Sequence, residues 1–120
     1  MNPQIEALVI ARPFRFRDSL HLLLASMSLI ENIHLADDIE SALKITAVPA
    51  VVVVDAAVGG PRLPAAINTI KTAWPQARLV ILVEDELEFE VAQAAGDGVV
   101  LRKGFPATKF IAAVETLLAK

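Results

Sequence analysis

Short apolar runs alternate along the chain with segments whose apolar residues recur every three or four positions. The central run is four consecutive valines, residues 51–54, followed by Asp55 and then by the chain-breaking residues 59–61. Valine is β-branched and favours a strand over a helix. Because the run shows no polar alternation, both of its faces should be covered by apolar groups. The pattern predicts a central strand of a parallel sheet, with Asp55 at its carboxyl end.

Four further runs predict the other strands, and the segments between them predict helices. The strands are expected at residues 5–11, 31–35, 79–83 and 98–101, the second of them nearer an edge. Helices are expected to begin near Phe14, at Asp37, beyond Pro61, at Glu84 and at Pro106. Pro75 should close the third helix and Gly96 the fourth.

The helical spacing also indicates which side chains face inward. The residues expected inside are Phe16, Leu20, Leu23, Leu24, Met27, Ile39, Ala42, Leu43, Leu63, Ala66, Ile67, Ile70, Trp74, Phe110, Val114, Leu117 and Leu118. Asp37 and Glu40 are spaced as a capping box. The acids at residues 84–90 complement the helix dipole, and this segment also carries Phe89 as a candidate exposed apolar contact.

Strands that alternate with helices favour an α/β fold with right-handed crossovers and helices on both faces of a parallel sheet. The two most apolar strands, the first and third, would flank the switch point of a flavodoxin-like, doubly wound (βα)5 sheet with strand order 2-1-3-4-5. Ligands of such sheets bind beyond the carboxyl ends of the strands. The order therefore predicts one crevice surrounded by Arg12, Asp55, Val83 and Lys103.

Composition narrows the class of protein. The chain has 120 residues, of which 55% are hydrophobic, and we interpret residues 1–120 as one globular domain. No apolar run approaches the roughly 20 residues of a membrane span, and the first residues do not resemble a signal peptide. We therefore expect a cytoplasmic protein without a membrane contact. The net charge of −3 argues against direct nucleic-acid binding, and the absence of cysteine excludes thiolate chemistry.

Four stretches in register resemble the receiver domain of bacterial response regulators (the CheY-like fold). They are residues 7–20, 36–43, 49–60 and 94–106, and they span nearly the whole chain. The resemblance implies that Asp55 stands at the phosphoacceptor position. It implies that Lys103 stands where the family has the lysine that contacts the phosphoryl group.

Other positions depart from the family's pattern. Ala11 and Arg12 stand where the acidic pair would hold Mg²⁺, and Val83 stands where a hydroxyl would contact the phosphoryl oxygen. Val100 replaces the aromatic residue that changes rotamer on activation, and Gly104 replaces the proline that commonly follows the lysine. Because one carboxylate beside an arginine is a poor Mg²⁺ site, we expect no cofactor, Mg²⁺ included. Arg12 is expected to take over the role of the metal by pairing with Asp55.

These residues predict an atypical or pseudo-receiver, a non-enzymatic interaction module in signal transduction. The resemblance implies a protein partner, either a sensor kinase or an output protein or domain. The partner is expected at the face formed by helix 4, strand 5 and helix 5. The resemblance also allows a homodimer. A phosphorylation-competent receiver of a two-component system, using Asp55 in a phosphorelay, is the first alternative. A flavodoxin-like nucleotide or anion binder is the second, because three arginines lie within residues 12–17.

Overall fold

The computed structural model describes residues 5–13, 15–95 and 98–119. Its strands are β1 (Ile5–Ile10), β2 (Ile30–Ala36), β3 (Val51–Asp55), β4 (Arg78–Val83) and β5 (Val99–Arg102). Its helices are α1 (Arg15–Ala25), α2 (Ile39–Leu43), α3 (Leu63–Ala73), α4 (Glu86–Ala94) and α5 (Ala107–Leu118). Within the described residues, no helix has the length and apolar character needed to cross a bilayer.

The five strands form one parallel sheet with the order β2-β1-β3-β4-β5. The valine strand β3 lies at its centre, where Val53 is aligned with Val9 of β1 and with Val80 of β4. β2 lies at an edge. The flavodoxin-like fold and the strand order expected from the sequence are therefore confirmed.

The valine run contributes to two separate apolar cores, because successive side chains of a strand point to opposite faces. Val51 and Val53 pack with residues of α1 and α5, whereas Val52 and Val54 pack with residues of α2, α3 and α4. All four valines are fully buried. Both faces of β3 are covered, as the absence of polar alternation predicted.

Most of the inward-facing residues are buried or half-buried, including Trp74 at the end of α3. Leu43, the last residue of the short helix α2, is an exception because 45% of its surface is exposed. That prediction is wrong because α2 is only five residues long and buries just one side chain fully, that of Ala42.

The capping box predicted at α2 also names the wrong N-cap residue. Asp38, and not Asp37, is the N-cap, and its Oδ1 accepts a hydrogen bond from the Ser41 amide at 2.8 Å. This backbone hydrogen bond lowers the pKa of Asp38. The predicted starts of the fourth helix and fifth strand are each moved by one or two residues, and the predictions for Phe14 and Gly96 lie outside the described residues.

Candidate functional site at the carboxyl edge of the sheet

The carboxyl ends of β3, β4 and β5 bring Asp55 and Lys103 together. Asp55 is the last residue of β3, and Lys103 directly follows β5. The amide of Lys103 donates a hydrogen bond to the carbonyl of Val83 at 2.8 Å, which extends the β4–β5 pairing by one residue. This backbone hydrogen bond fixes the point from which the lysine side chain crosses the edge towards β3.

The carboxylate of Asp55 is nearly buried and has two partners on one oxygen. Its Oδ1 lies 2.8 Å from Lys103 Nζ and accepts a hydrogen bond from the Ala57 amide at 3.0 Å. The second contact caps the 3-10 turn Ala56–Val58. Asp55 as a whole is only 8% exposed. The residue therefore caps a turn and forms an ion pair at the same time, which compensates for removing its charge from water.

The ammonium group of Lys103 has two further neighbours. It lies 3.3 Å from Glu84 Oε2 and 5.2 Å from the centroid of the Phe16 ring, a distance suited to a cation–π contact. Burial alone would lower the pKa of Lys103, but its hydrogen bonds and charge interactions with Asp55 and Glu84 outweigh burial and raise the pKa above its ordinary value. Lys103 is thus held in the charged state between two carboxylates.

Arg12 does not join this cluster, so the predicted Arg12–Asp55 pair is wrong. Arg12 is exposed, and among the described residues Asp55 forms its ion pair with Lys103 instead. An exposed guanidinium keeps its hydration, whereas Lys103 reaches Asp55 from a position that is already partly enclosed. The arginine that turns inward is Arg17, whose Nη1 lies 3.3 Å from the Ala11 carbonyl oxygen and 2.6 Å from Asp37 Oδ1.

Apolar residues occupy the ends of the two strands that flank β3. Ala11 and Val83 are buried at the ends of β1 and β4. Neither side chain carries a group that could coordinate a cation or donate a hydrogen bond. Val100, one position before the buried Leu101, is half-buried and lines a surface groove rather than the crevice itself.

The donor groups at this edge do not fit Mg²⁺. Mg²⁺ requires oxygen ligands in an octahedral arrangement, usually from more than one carboxylate together with water. Asp55 and Glu84 both direct an oxygen to Lys103, whose positive charge opposes a second cation there. In the described part of the chain, no three acidic or histidine side chains lie close enough together to hold a metal ion.

A groove of about 440 Å³ lies beside this edge, between α4, β5 and α5. It is lined in part by Val100, Phe105 and Lys109. Phe89 also lines it but is only half-exposed, because the Arg102 guanidinium stacks on its ring at 4.9 Å from the centroid. The expectation that Phe89 is an exposed contact is therefore wrong.

Sequence reasoning missed the roles of Glu84 and Phe16. The charge pattern groups Glu84 with the acids that complement the dipole of α4, although Glu84 directly follows β4 and so belongs to the same sheet edge as Asp55. Helical spacing predicts that Phe16 lies on the inward face of α1 but does not indicate its contact with Lys103. The strand-end position of Glu84 is a signal that could have identified it.

Comparisons with known proteins establish what this architecture resembles. No protein-family model and no curated protein sequence matches the chain. Among solved structures, the signal receiver domain of an HD domain-containing protein from Pseudomonas fluorescens Pf-5 superposes with a TM-score of 0.81 at 20% identity, covering 98% of this chain and 96% of that one.

Two other solved structures give the same result. The BeF3-activated DrrB receiver domain has a TM-score of 0.84 at 18% identity, and a response regulator from Thermotoga maritima has a TM-score of 0.82 at 16% identity. Each comparison covers 98% of this chain and 100% of the other. Identities this low establish the fold alone. The chain therefore has the fold of response-regulator receiver domains.

Proposed function

We propose that this chain is an atypical receiver domain, spanning residues 1–120, that acts in signal transduction as a protein-binding module without Mg²⁺-dependent phosphorylation of Asp55. The observation that carries the proposal is that Ala11 and Val83, both buried at the ends of strands on this edge of the sheet, supply no oxygen ligand, so Asp55 has Lys103, 2.8 Å away, as its counter-charge. A carboxylate that already has a cationic partner and an amide donor does not need a metal ion to be stable in its nearly buried position.

The residues around the pair support the same conclusion. Phosphoryl transfer to a carboxylate depends on a cation that neutralises charge on the phosphoryl oxygens. By resemblance to the family, the positions that would hold that cation are Ala11 and Arg12, and Val83 takes the position of the hydroxyl. None of these side chains supplies an oxygen. Chemistry at Asp55 is therefore slow or absent, and the domain has no enzymatic role.

We place the protein partner, a sensor kinase or an output protein or domain, on the groove between α4, β5 and α5. The groove combines the apolar side chains of Val100 and Phe105 with the positive charge of Lys109. An apolar floor beside a polar rim is the usual composition of a protein interface. A second copy of the chain could occupy the same face, and we propose no direct contact with nucleic acid or membrane.

A phosphorylation-competent receiver is the alternative function, and one specific observation favours it. Asp55 and Lys103 do meet at the carboxyl edge of the sheet, which is where the family's phosphoacceptor and lysine would stand. In that case the Asp55–Lys103 pair would be the resting state of an active site, and the missing metal ligands would have to be replaced by water.

Incubation with acetyl phosphate and Mg²⁺, followed by intact-mass spectrometry, distinguishes the two functions. We expect no species carrying an added phosphoryl group. A phosphorylated species that is absent from Asp55→Asn would support the alternative. The double substitution Ala11→Asp with Arg12→Asp restores the two carboxylates, and we expect it to gain Mg²⁺ affinity.

A further inference from the structure

A second groove lies on the opposite side of α4 and combines an apolar wall with unneutralised acids. Its volume is about 380 Å³, and it runs between the start of α3 and the first two turns of α4. Leu87 and Val91, four residues apart on α4, face Pro61 and Pro64 across it. Leu87 is 70% exposed, an uncovered leucine side chain at the rim of a groove.

The wall formed by the start of α3 is rigid. Both prolines have a fixed φ angle, and neither has an amide hydrogen to satisfy. Gly59 packs so closely on Leu63 that a Cβ at this position would lie 2.9 Å from the Leu63 Cα atom. Gly60 has a φ of +54°, which favours glycine. A preformed wall lowers the entropic cost of binding a partner.

The acidic side of the groove is formed by Asp85 and Glu88. Asp85 Oδ1 accepts a hydrogen bond from the Glu88 amide at 2.9 Å, and Glu88 Oε1 accepts one from the Glu84 amide at 2.7 Å. These hydrogen bonds cap α4 but leave both charges in place, and no cation of the described residues forms an ion pair with either one. The neighbouring acids, in contrast, have cationic partners. Glu84 pairs with Lys103, and Glu86 pairs with Arg102.

We propose that this α3–α4 groove binds an amphipathic helix of a partner protein, with a leucine-like side chain against Leu87 and Val91 and a Lys or Arg one turn away against Asp85 and Glu88. A helix fits because the groove lies between two helices and offers no free strand edge. The inference rests on the proposed role as a protein-binding module, and it adds a contact separate from the groove between α4, β5 and α5.

The test uses an alanine-based helical peptide of about 18 residues, with two leucines four residues apart and lysines one turn from each. A reference peptide has glutamate in place of lysine. Titration into the ¹⁵N-labelled protein should shift amide signals around the groove at lower concentrations of the lysine peptide than of the glutamate peptide. Leu87→Ala should weaken binding about 10-fold or more, because the peptide would no longer bury the Leu87 side chain in the complex.

Matched variants make the result specific. Leu22→Ala removes an equally exposed leucine from α1 and should leave the affinity unchanged. Asp85→Asn with Glu88→Gln keeps both capping hydrogen bonds but removes the charges, and should weaken binding about 2- to 5-fold and reduce its salt dependence.

Equal binding of both peptides, or equal effects of Leu87→Ala and Leu22→Ala, would overturn the inference. So would a homodimer that Leu87→Asp dissociates in sedimentation experiments, because the groove would then serve a second copy. None of these outcomes affects the phosphorylation assay, which does not involve Leu87, so failure here is separate from failure of the proposed function.

Discussion

Lys103 Nζ lies 2.8 Å from Asp55 Oδ1, and this single contact joins the central strand β3 to the end of the edge strand β5. The side chains of Asp55 and Lys103 are 12% and 23% exposed, so water screens the pair only in part. The pair gives the buried carboxylate its counter-charge from within the chain.

Removal of the lysine should destabilise the fold by leaving Asp55 without a cation. For Lys103→Met we expect a loss of about 1–3 kcal/mol in the free energy of unfolding, the usual range for a buried polar group that loses its partner. Lys103→Arg keeps the charge and serves as the control. In urea denaturation, the double variant Asp55→Asn with Lys103→Met should recover part of the loss, and a strictly additive result would show that the two residues do not interact.

The same pair should make stability fall at alkaline pH. The pKa of Lys103 is raised above 10.5 in the folded state, so its contribution is fully present below pH 10.5 and is lost as the pH rises through the folded value. The chain has no tyrosine or cysteine to complicate this range. The difference in unfolding free energy between wild type and Lys103→Met should therefore be constant near neutral pH and shrink above 10.5. A difference that grows there would contradict the prediction.

Two glycines with positive φ should respond differently to alanine. A Cβ at Gly98, which has a φ of +111°, would lie 2.6 Å from the Leu79 carbonyl oxygen, whereas one at Gly104, with a φ of +97°, would meet no atom within 4 Å. Gly104→Ala should cost only backbone strain, about 1–3 kcal/mol. Gly98→Ala adds a clash with β4 and should cost more, as measured by thermal unfolding. Equal costs would mean that β5 shifts freely.

The fold was predictable because the apolar runs are unambiguous. The four β-branched residues of β3 lack polar alternation, and their burial on both faces follows from that fact alone. The edge position of β2 agrees with the polar residues within the strand and with its mixed burial. Asp55 and Lys103 could be placed together because both follow strands whose carboxyl ends share one edge.

Side-chain direction was the part that the sequence could not decide. Arg12 and Lys103 both follow strands, but only the lysine is partly enclosed, and the arginine stays hydrated. Asp37 and Asp38 are adjacent acids, and either one could have capped α2. In α4, Phe89 and Leu87 are both apolar within an acidic segment, yet Arg102 covers the first and nothing described covers the second. Such choices depend on tertiary contacts rather than on local pattern.

Titration with Mg²⁺ and beryllofluoride, monitored by NMR of the labelled protein, tests the central claim most directly. Beryllofluoride with Mg²⁺ mimics a phosphorylated aspartate, but Asp55 and Glu84 already direct oxygens to Lys103, and neither Ala11 nor Val83 supplies a further oxygen for the metal. We predict no saturable change in the signals of Asp55, Val83 and Lys103 at millimolar Mg²⁺. Saturable, Mg²⁺-dependent shifts that Asp55→Ala abolishes would contradict the account and show that the domain is a phosphorylation-competent receiver.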